Sequence, residues 1–216
     1  MSEAAKAVAA RGALLLALRQ AGVRDVNVLR AIETVQREVF VPYTLRDIAQ
    51  RDCPLPIGCG QTMEAPGRLA QMLEALQLEP GHRVMEIGAG SGYSTAVLAR
   101  LVREVVSFER YRALAHEARS RLERLGVANA AIHFADGLAE PERYGRFDRI
   151  IVHALLPAPD ARLLGALAPA GLLLCALPNA DGEGEHCALI QADGAVLRMF
   201  SAGRFAAATT GAAAAL

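Results

Sequence analysis

The sequence predicts an α/β fold: a doubly wound, mostly parallel sheet with antiparallel C-terminal strands, preceded by N-terminal helices. Three observations carry that prediction. Beyond Pro80-Gly81, short apolar runs alternate with helical patterns, the order in which crossover helices cover both faces of a parallel sheet. One run passes through Gly88-Ala89-Gly90-Ser91-Gly92 directly into a helix, and such strand-to-helix turns lie where these sheets bind ligands. The last two runs are separated by Ala192-Asp193-Gly194, whose Asp-Gly is a hairpin signal.

Each element follows from its pattern. Apolar positions at helical spacing, among them Val8, Leu14, Leu15 and Leu18, predict a helix over about Ala4 to Gln20, with Gly22 as its stop. A second helix starts near Asp25 and runs through Val28, Leu29, Ile32 and Val35 until Pro42 breaks it. Asp52 to Pro66 is rich in proline and glycine in irregular order and reads as a long functional loop. A third helix runs from Pro66 or Gly67 to Leu78, with proline suited to its first turn. Strands are expected at Arg83–Ile87, Glu104–Glu109, Ala131–Ala135, Phe147–His153 and Gly171–Ala176, with helices near Ser94–Leu101, Arg112–Leu125 and Pro159–Leu167. Glu185–Gln191 and Ala195–Phe200 form the closing hairpin. The expected organisation is one domain over residues 1–205, with helices and a substrate loop in 1–80 and the α/β core in 81–205. Residues 206–216 are an alanine-rich tail of low complexity, expected to be loose.

Composition narrows the partners. The chain has 216 residues, 53% of them hydrophobic, enough for a single core. Lys+Arg and Asp+Glu both total 23, so no basic excess points to nucleic acid or an anionic membrane, and neither is expected as a partner. Cys53, Cys59, Cys175 and Cys187 have neither zinc nor disulfide spacing; no metal is expected. No segment has the length of a membrane span, and the short run Gly12 to Leu18 lacks a secretory cleavage site. The expectation is a cytoplasmic protein, acting as a monomer.

Candidate site residues cluster at the strand ends. Gly88, Gly90 and Gly92 have the spacing G-x-G-x-G, not the G-x-G-x-x-G of dinucleotide-binding turns, which weighs against a nicotinamide enzyme. Glu86 precedes them with a carboxylate that repels pyrophosphate and suits a cationic amino-acid ligand, so the charge favours a sulfonium, S-adenosylmethionine. Tyr93 closes the segment Val84 to Tyr93 that is expected to hold the cofactor. Glu109 ends the next strand, where an acid accepts hydrogen bonds from ribose hydroxyls. Asp136-Gly137 closes the third strand, with Asp136 expected at the adenine amino group. His153 ends the fourth strand, where active sites of open sheets collect, as a hydrogen-bonded polar residue beside the cofactor.

With these residues the chain resembles the protein-L-isoaspartate O-methyltransferase family. The likeness runs from about Arg11 to Phe205 and is carried by Val35-Gln36-Arg37-Glu38-Val39-Phe40-Val41-Pro42, Leu55-Pro56-Ile57-Gly58-Cys59-Gly60-Gln61-Thr62, the glycine turn, and Phe147-Asp148-Arg149-Ile150-Ile151-Val152. The resemblance implies the Rossmann-like methyltransferase fold and S-adenosylmethionine-dependent methylation of isoaspartyl carboxylates in damaged proteins. It also implies that the loop ending in Thr62 lies over cofactor and substrate, and that His153-Ala154 stands beside the methyl donor. Two departures fall on the substrate side. Glu64 stands where the family has an active-site serine, and Phe205-Ala206-Ala207-Ala208 replaces Phe-Val-Pro-Leu. Thr62 and Glu64 are therefore the catalytic-side candidates.

Glu64 leaves two readings open. Its carboxylate opposes an anionic acceptor and redirects recognition towards an amine or guanidinium, or it is a surface residue favoured near a helix N-terminus. The alternatives to repair chemistry are a related methyltransferase with another acceptor and a non-catalytic S-adenosylmethionine-binding protein.

Overall fold

The computed structural model describes residues 3–201 and 203–213. Helix α1 (Glu3–Gln20) leads into α2 (Val26–Thr34), which is capped by Asp25, whose carboxylate accepts the N–H groups of Asn27 at 2.8 Å and Val28 at 3.2 Å. The helical spacing continues to Val35, but α2 ends at Thr34 because Val35 is extended; a 3-10 turn over Arg37–Val39 then carries the chain to Pro42. The expected loop holds a small hairpin, β1 (Leu55–Pro56) paired antiparallel with β2 (Thr62–Met63). Helix α3 (Pro66–Ala75) has Ala65 at its N-cap, which offers no side-chain acceptor. Asp52 supplies one from a distance, accepting the Gly67 N–H at 2.6 Å. A Cβ on Gly67 would lie 2.4 Å from Asp52 Oδ2, so glycine is what lets the carboxylate in.

The core follows as β3 (Arg83–Ile87), α4 (Tyr93–Leu98), β4 (Glu104–Glu109), α5 (Arg112–Arg124), β5 (Ala130–Phe134), β6 (Phe147–Leu155), α6 (Ala161–Gly165), β7 (Leu167–Pro178), β8 (Glu185–Gln191) and β9 (Val196–Ser201). The seven-stranded sheet has the order β5-β4-β3-β6-β7-β8-β9, parallel through β7, with β8 and β9 antiparallel. Alternate residues feed two cores: Val84 packs with Leu69, Leu73 and Val97 on one face, Met85 and Ile87 with Leu163 on the other. The strand order reverses between β3 and β6, so their carboxyl ends open the crevice where doubly wound sheets bind ligands. Strand β7 is longer than the apolar run Gly171–Ala176 because Leu167 also pairs, with Phe147, before an irregular stretch in which Ala170 takes the left-handed φ of 61°.

Residues 206–213, expected to be loose, lie back across the sheet's carboxyl edge. Leu155 N–H donates to Ala206 O and Ala208 N–H to Leu155 O, both at 2.8 Å; Gly211 N–H donates to Asp136 Oδ2 at 2.6 Å and Ala213 N–H to Arg110 O at 2.8 Å. Backbone groups make these bonds, so an alanine-rich composition carries no sign of them. Residues 214–216 lie outside the described residues. Among the described residues, no helix is long and apolar enough to cross a membrane.

Candidate active site

The glycine turn joins β3 to α4 with Gly88, Gly90 and Gly92 all left-handed, at φ 93°, 55° and 88°. The N–H groups of Gly88 and Ala89 both donate to Phe108 O, at 2.8 and 3.0 Å, which pins the turn to β4. Side chains would be crowded as well as strained here: a Cβ on Gly88 would meet His153 Cβ at 3.3 Å. The hairpin loop covers the turn. Ser91 Oγ donates to Met63 Sδ at 3.3 Å, and Gln61 Nε2 donates to Tyr111 Oη at 3.4 Å.

Glu86 lies behind this wall, fully buried. Its Oε2 accepts the hydroxyls of Thr95 and Ser107, and its Oε1 faces His153 Nε2 at 3.1 Å. Burial pushes its carboxyl up, but the hydrogen bonds from His153, Ser107 and Thr95 outweigh that and hold it below the usual carboxylate value. An ionised carboxylate only accepts, so His153 carries its proton on Nε2, shared with Ser94 Oγ at 3.1 Å. The direct contact expected between Glu86 and a cationic ligand is therefore replaced by a relay in which His153, not Glu86, reaches the cavities.

Glu109 sits on the lip, its oxygens accepting the Gly90 N–H at 2.8 Å and the Tyr111 N–H at 2.9 Å. Burial pushes this carboxyl above its usual value against those backbone donors. With Asp136, Gly137 and His153 it lines a cavity of about 260 Å³. Gly137 lets β5 approach: a Cβ there would strike Phe108 at 2.9 Å. Asp136 is already engaged, Oδ1 by Leu138 N–H at 2.9 Å and Oδ2 by Gly211 N–H, so its expected adenine contact shares the carboxylate with the tail.

A second cavity of about 480 Å³ joins the first, the two sharing Gln61, Gly88, His153 and Ala206. Thr62 is exposed on its lip, while Tyr93 is buried, with a phenol oxygen that has no hydrogen-bond partner among the described residues. Burial pushes the Tyr93 hydroxyl far above its usual value, so it stays a neutral donor. Glu64 is ion-paired with Arg68, and both are mostly buried. Arg68 stacks on the Phe205 ring at 4.6 Å and donates to Arg204 O at 3.2 Å.

The sequence profile of the protein-L-isoaspartate(D-aspartate) O-methyltransferase family matches residues 9–196. The chain belongs to that family. A protein-L-isoaspartate O-methyltransferase 2 of Rhodopseudomonas palustris strain HaA2 is 49% identical over 168 residues, covering 78% of this chain and 77% of that protein. A protein-L-isoaspartate O-methyltransferase of Nitrobacter winogradskyi is 44% identical over 183 residues, 85% of this chain and 84% of that one. Among solved structures, a protein-L-isoaspartate O-methyltransferase superposes with TM-score 0.79 at 25% identity, covering 94% of this chain and 67% of that chain. A putative Plasmodium falciparum member, solved with S-adenosyl-L-homocysteine, gives TM-score 0.78 at 24% identity, covering 90% and 96%, and supports the fold.

Within this family frame, sequence reasoning missed Arg37, Asp52 and Arg68. Arg37 is 1% exposed and donates to four backbone carbonyls, those of Ala49, Arg51, Cys53 and Glu64, at 2.7 to 3.1 Å. An arginine among the apolar positions Val35, Val39, Phe40 and Val41 was the available signal.

Proposed function

We infer that this chain is an S-adenosylmethionine-dependent carboxyl O-methyltransferase acting on L-isoaspartyl residues of damaged proteins. One observation carries the reading within the family: two cavities of different character meet at Gly88 and His153 beneath the hairpin loop. The residues fit the donor. The smaller cavity offers a carboxylate, Glu109, fixed by two N–H groups, and two glycines, Gly88 and Gly137, that admit a ligand close to backbone. When bound, S-adenosylmethionine supplies an electrophilic methyl group on a sulfonium.

The chain's own part is to hold and align. Glu109 accepts the ribose hydroxyls and Asp136 the adenine amino group; Gly88 and Gly137 line that pocket, Gly90 and Tyr93 line the adjoining cavity, and Gly92 turns the chain into α4. Glu86, kept ionised, fixes His153 at the junction and places negative charge beneath a cationic ligand. An acceptor carboxylate has a reference value of ~4 and is ionised near neutral pH, so no general base is needed. Positioning and exclusion of water by the loop around Thr62 are the remaining tasks. Residues 1–205 act in this reading as one methyltransferase domain, a cytoplasmic monomer working on peptide chains, with 206–216 appended.

Glu64 supports the alternative of another acceptor, but its pairing with Arg68 offsets the charge that would repel a carboxylate. The bond formed distinguishes them. A methyl ester releases methanol in mild alkali, whereas methylated amines and guanidinium groups do not. Alkali-labile label from radiolabelled S-adenosylmethionine on aged protein is the expected result; alkali-stable label would contradict it.

A further inference from the structure

We propose that Arg68 anchors the acceptor carboxylate, and that Glu64 orients Arg68 and competes with the acceptor for it. The inference rests on the isoaspartyl reading above and names the residue that recognises the anion.

The larger cavity is lined by one carboxylate, Glu64, and by two arginines, Arg68 and Arg204. Arg204 is exposed, whereas the Arg68 side chain is 18% exposed and the Glu64 side chain 15%. Arg68 is therefore the cation whose charge is least screened by water, and an anion entering this cavity gains most there. Its guanidinium is held in one plane. The Phe205 ring stacks on it, Arg204 O takes Nη1 at 3.2 Å, and Gly203 leaves room for it, since a Cβ there would stand 2.7 Å from Nη1. The Nη2 edge faces Glu64 Oε1.

A planar guanidinium fork is matched to carboxylates. Glu64 presents the same chemical group as the acceptor, on a loop whose backbone is fixed by Arg37 donating to Glu64 O at 2.8 Å. Two carboxylates thus compete for one fork. Glu64 keeps Arg68 aligned and desolvated when no acceptor is present, and lowers the apparent affinity by the strength of its own contact. The effect belongs to acceptor binding, not to the transfer step.

Steady-state kinetics with an isoaspartyl peptide test this, alongside calorimetric binding of S-adenosylhomocysteine. Glu64→Gln removes the competing charge and keeps the shape; KM for the peptide should fall about fivefold, with kcat within about twofold. Arg68→Lys keeps the charge but loses the fork, and should raise KM about tenfold with cofactor affinity unchanged. In the Arg68→Lys background, Glu64→Gln should change KM much less than it does alone. A role confined to fastening α3 to residues 203–206 would leave KM where it is in Glu64→Gln, and that result overturns the proposal. So does an unchanged KM in Arg68→Lys. A wild-type chain that binds S-adenosylhomocysteine but methylates no isoaspartyl peptide overturns the isoaspartyl reading itself, and this proposal with it.

Discussion

The two cavities meet at Gly88 and His153, yet they are built differently. The smaller one is made largely of sheet edge: Gly88 and Gly137, N–H groups aimed at Glu109, and strand ends brought together by the order β5-β4-β3-β6. The larger one draws on side chains from the hairpin loop, the first turn of α3 and the C-terminal segment, where Glu64, Arg68 and Phe205 depend on one another for position. A site built on backbone tolerates drift in sequence and keeps its ligand. A site built on coupled side chains changes its specificity with one or two substitutions.

The largest effect is expected from Arg37, which holds the loop side together. Arg37→Ala leaves four carbonyls without their donor in a buried setting and should cost about 3 kcal/mol of folding stability by urea unfolding. A loss under about 1 kcal/mol would mean that water reaches the carbonyls and that the loop is not anchored there.

On the backbone side, Glu109→Gln should weaken S-adenosylhomocysteine about thirtyfold by calorimetry while the peptide KM changes little. The pH dependence has a definite sign. Burial raises the Glu109 carboxyl above its usual value, and in the proposed function it is the ionised form that accepts the ribose hydroxyls. Affinity should therefore be highest above that raised value and fall as pH drops through it; Glu109→Gln should remove the dependence.

The tail bridges the two regions. Ending the chain at Phe205 removes a wall of the smaller cavity, together with the bonds to Leu155 and Asp136. Dissociation of S-adenosylhomocysteine should quicken about fivefold in stopped-flow measurements. An unchanged rate would return the tail to the loose segment that its composition predicts.

The smallest effect is expected far from both cavities. Ala170 has φ 61°, a conformation that costs a non-glycine residue about 1 kcal/mol. Ala170→Gly should raise stability by up to that amount in thermal unfolding, with no change in kinetics.

This contrast also explains what the sequence made legible. The strands of the core, the glycine turn and Glu109 follow from local spacing, because period and turn chemistry are written in consecutive residues. Helix ends were less legible: apolar spacing runs on to Leu101, while α4 stops at Leu98. Neither the contact from Arg68 to Arg204, 136 residues apart, nor the one from Gly211 to Asp136, 75 apart, leaves any periodic trace. Glu86 and Asp136 were found by position, but their partners were not, because Thr95, Ser107 and Gly211 reach them only in the folded chain.

The most direct test of the central claim is methyl transfer from labelled S-adenosylmethionine to a synthetic isoaspartyl peptide, with the matching aspartyl peptide as control. Label on the isoaspartyl peptide alone is the predicted result. Equal labelling of both, or of neither while the cofactor binds, would contradict it.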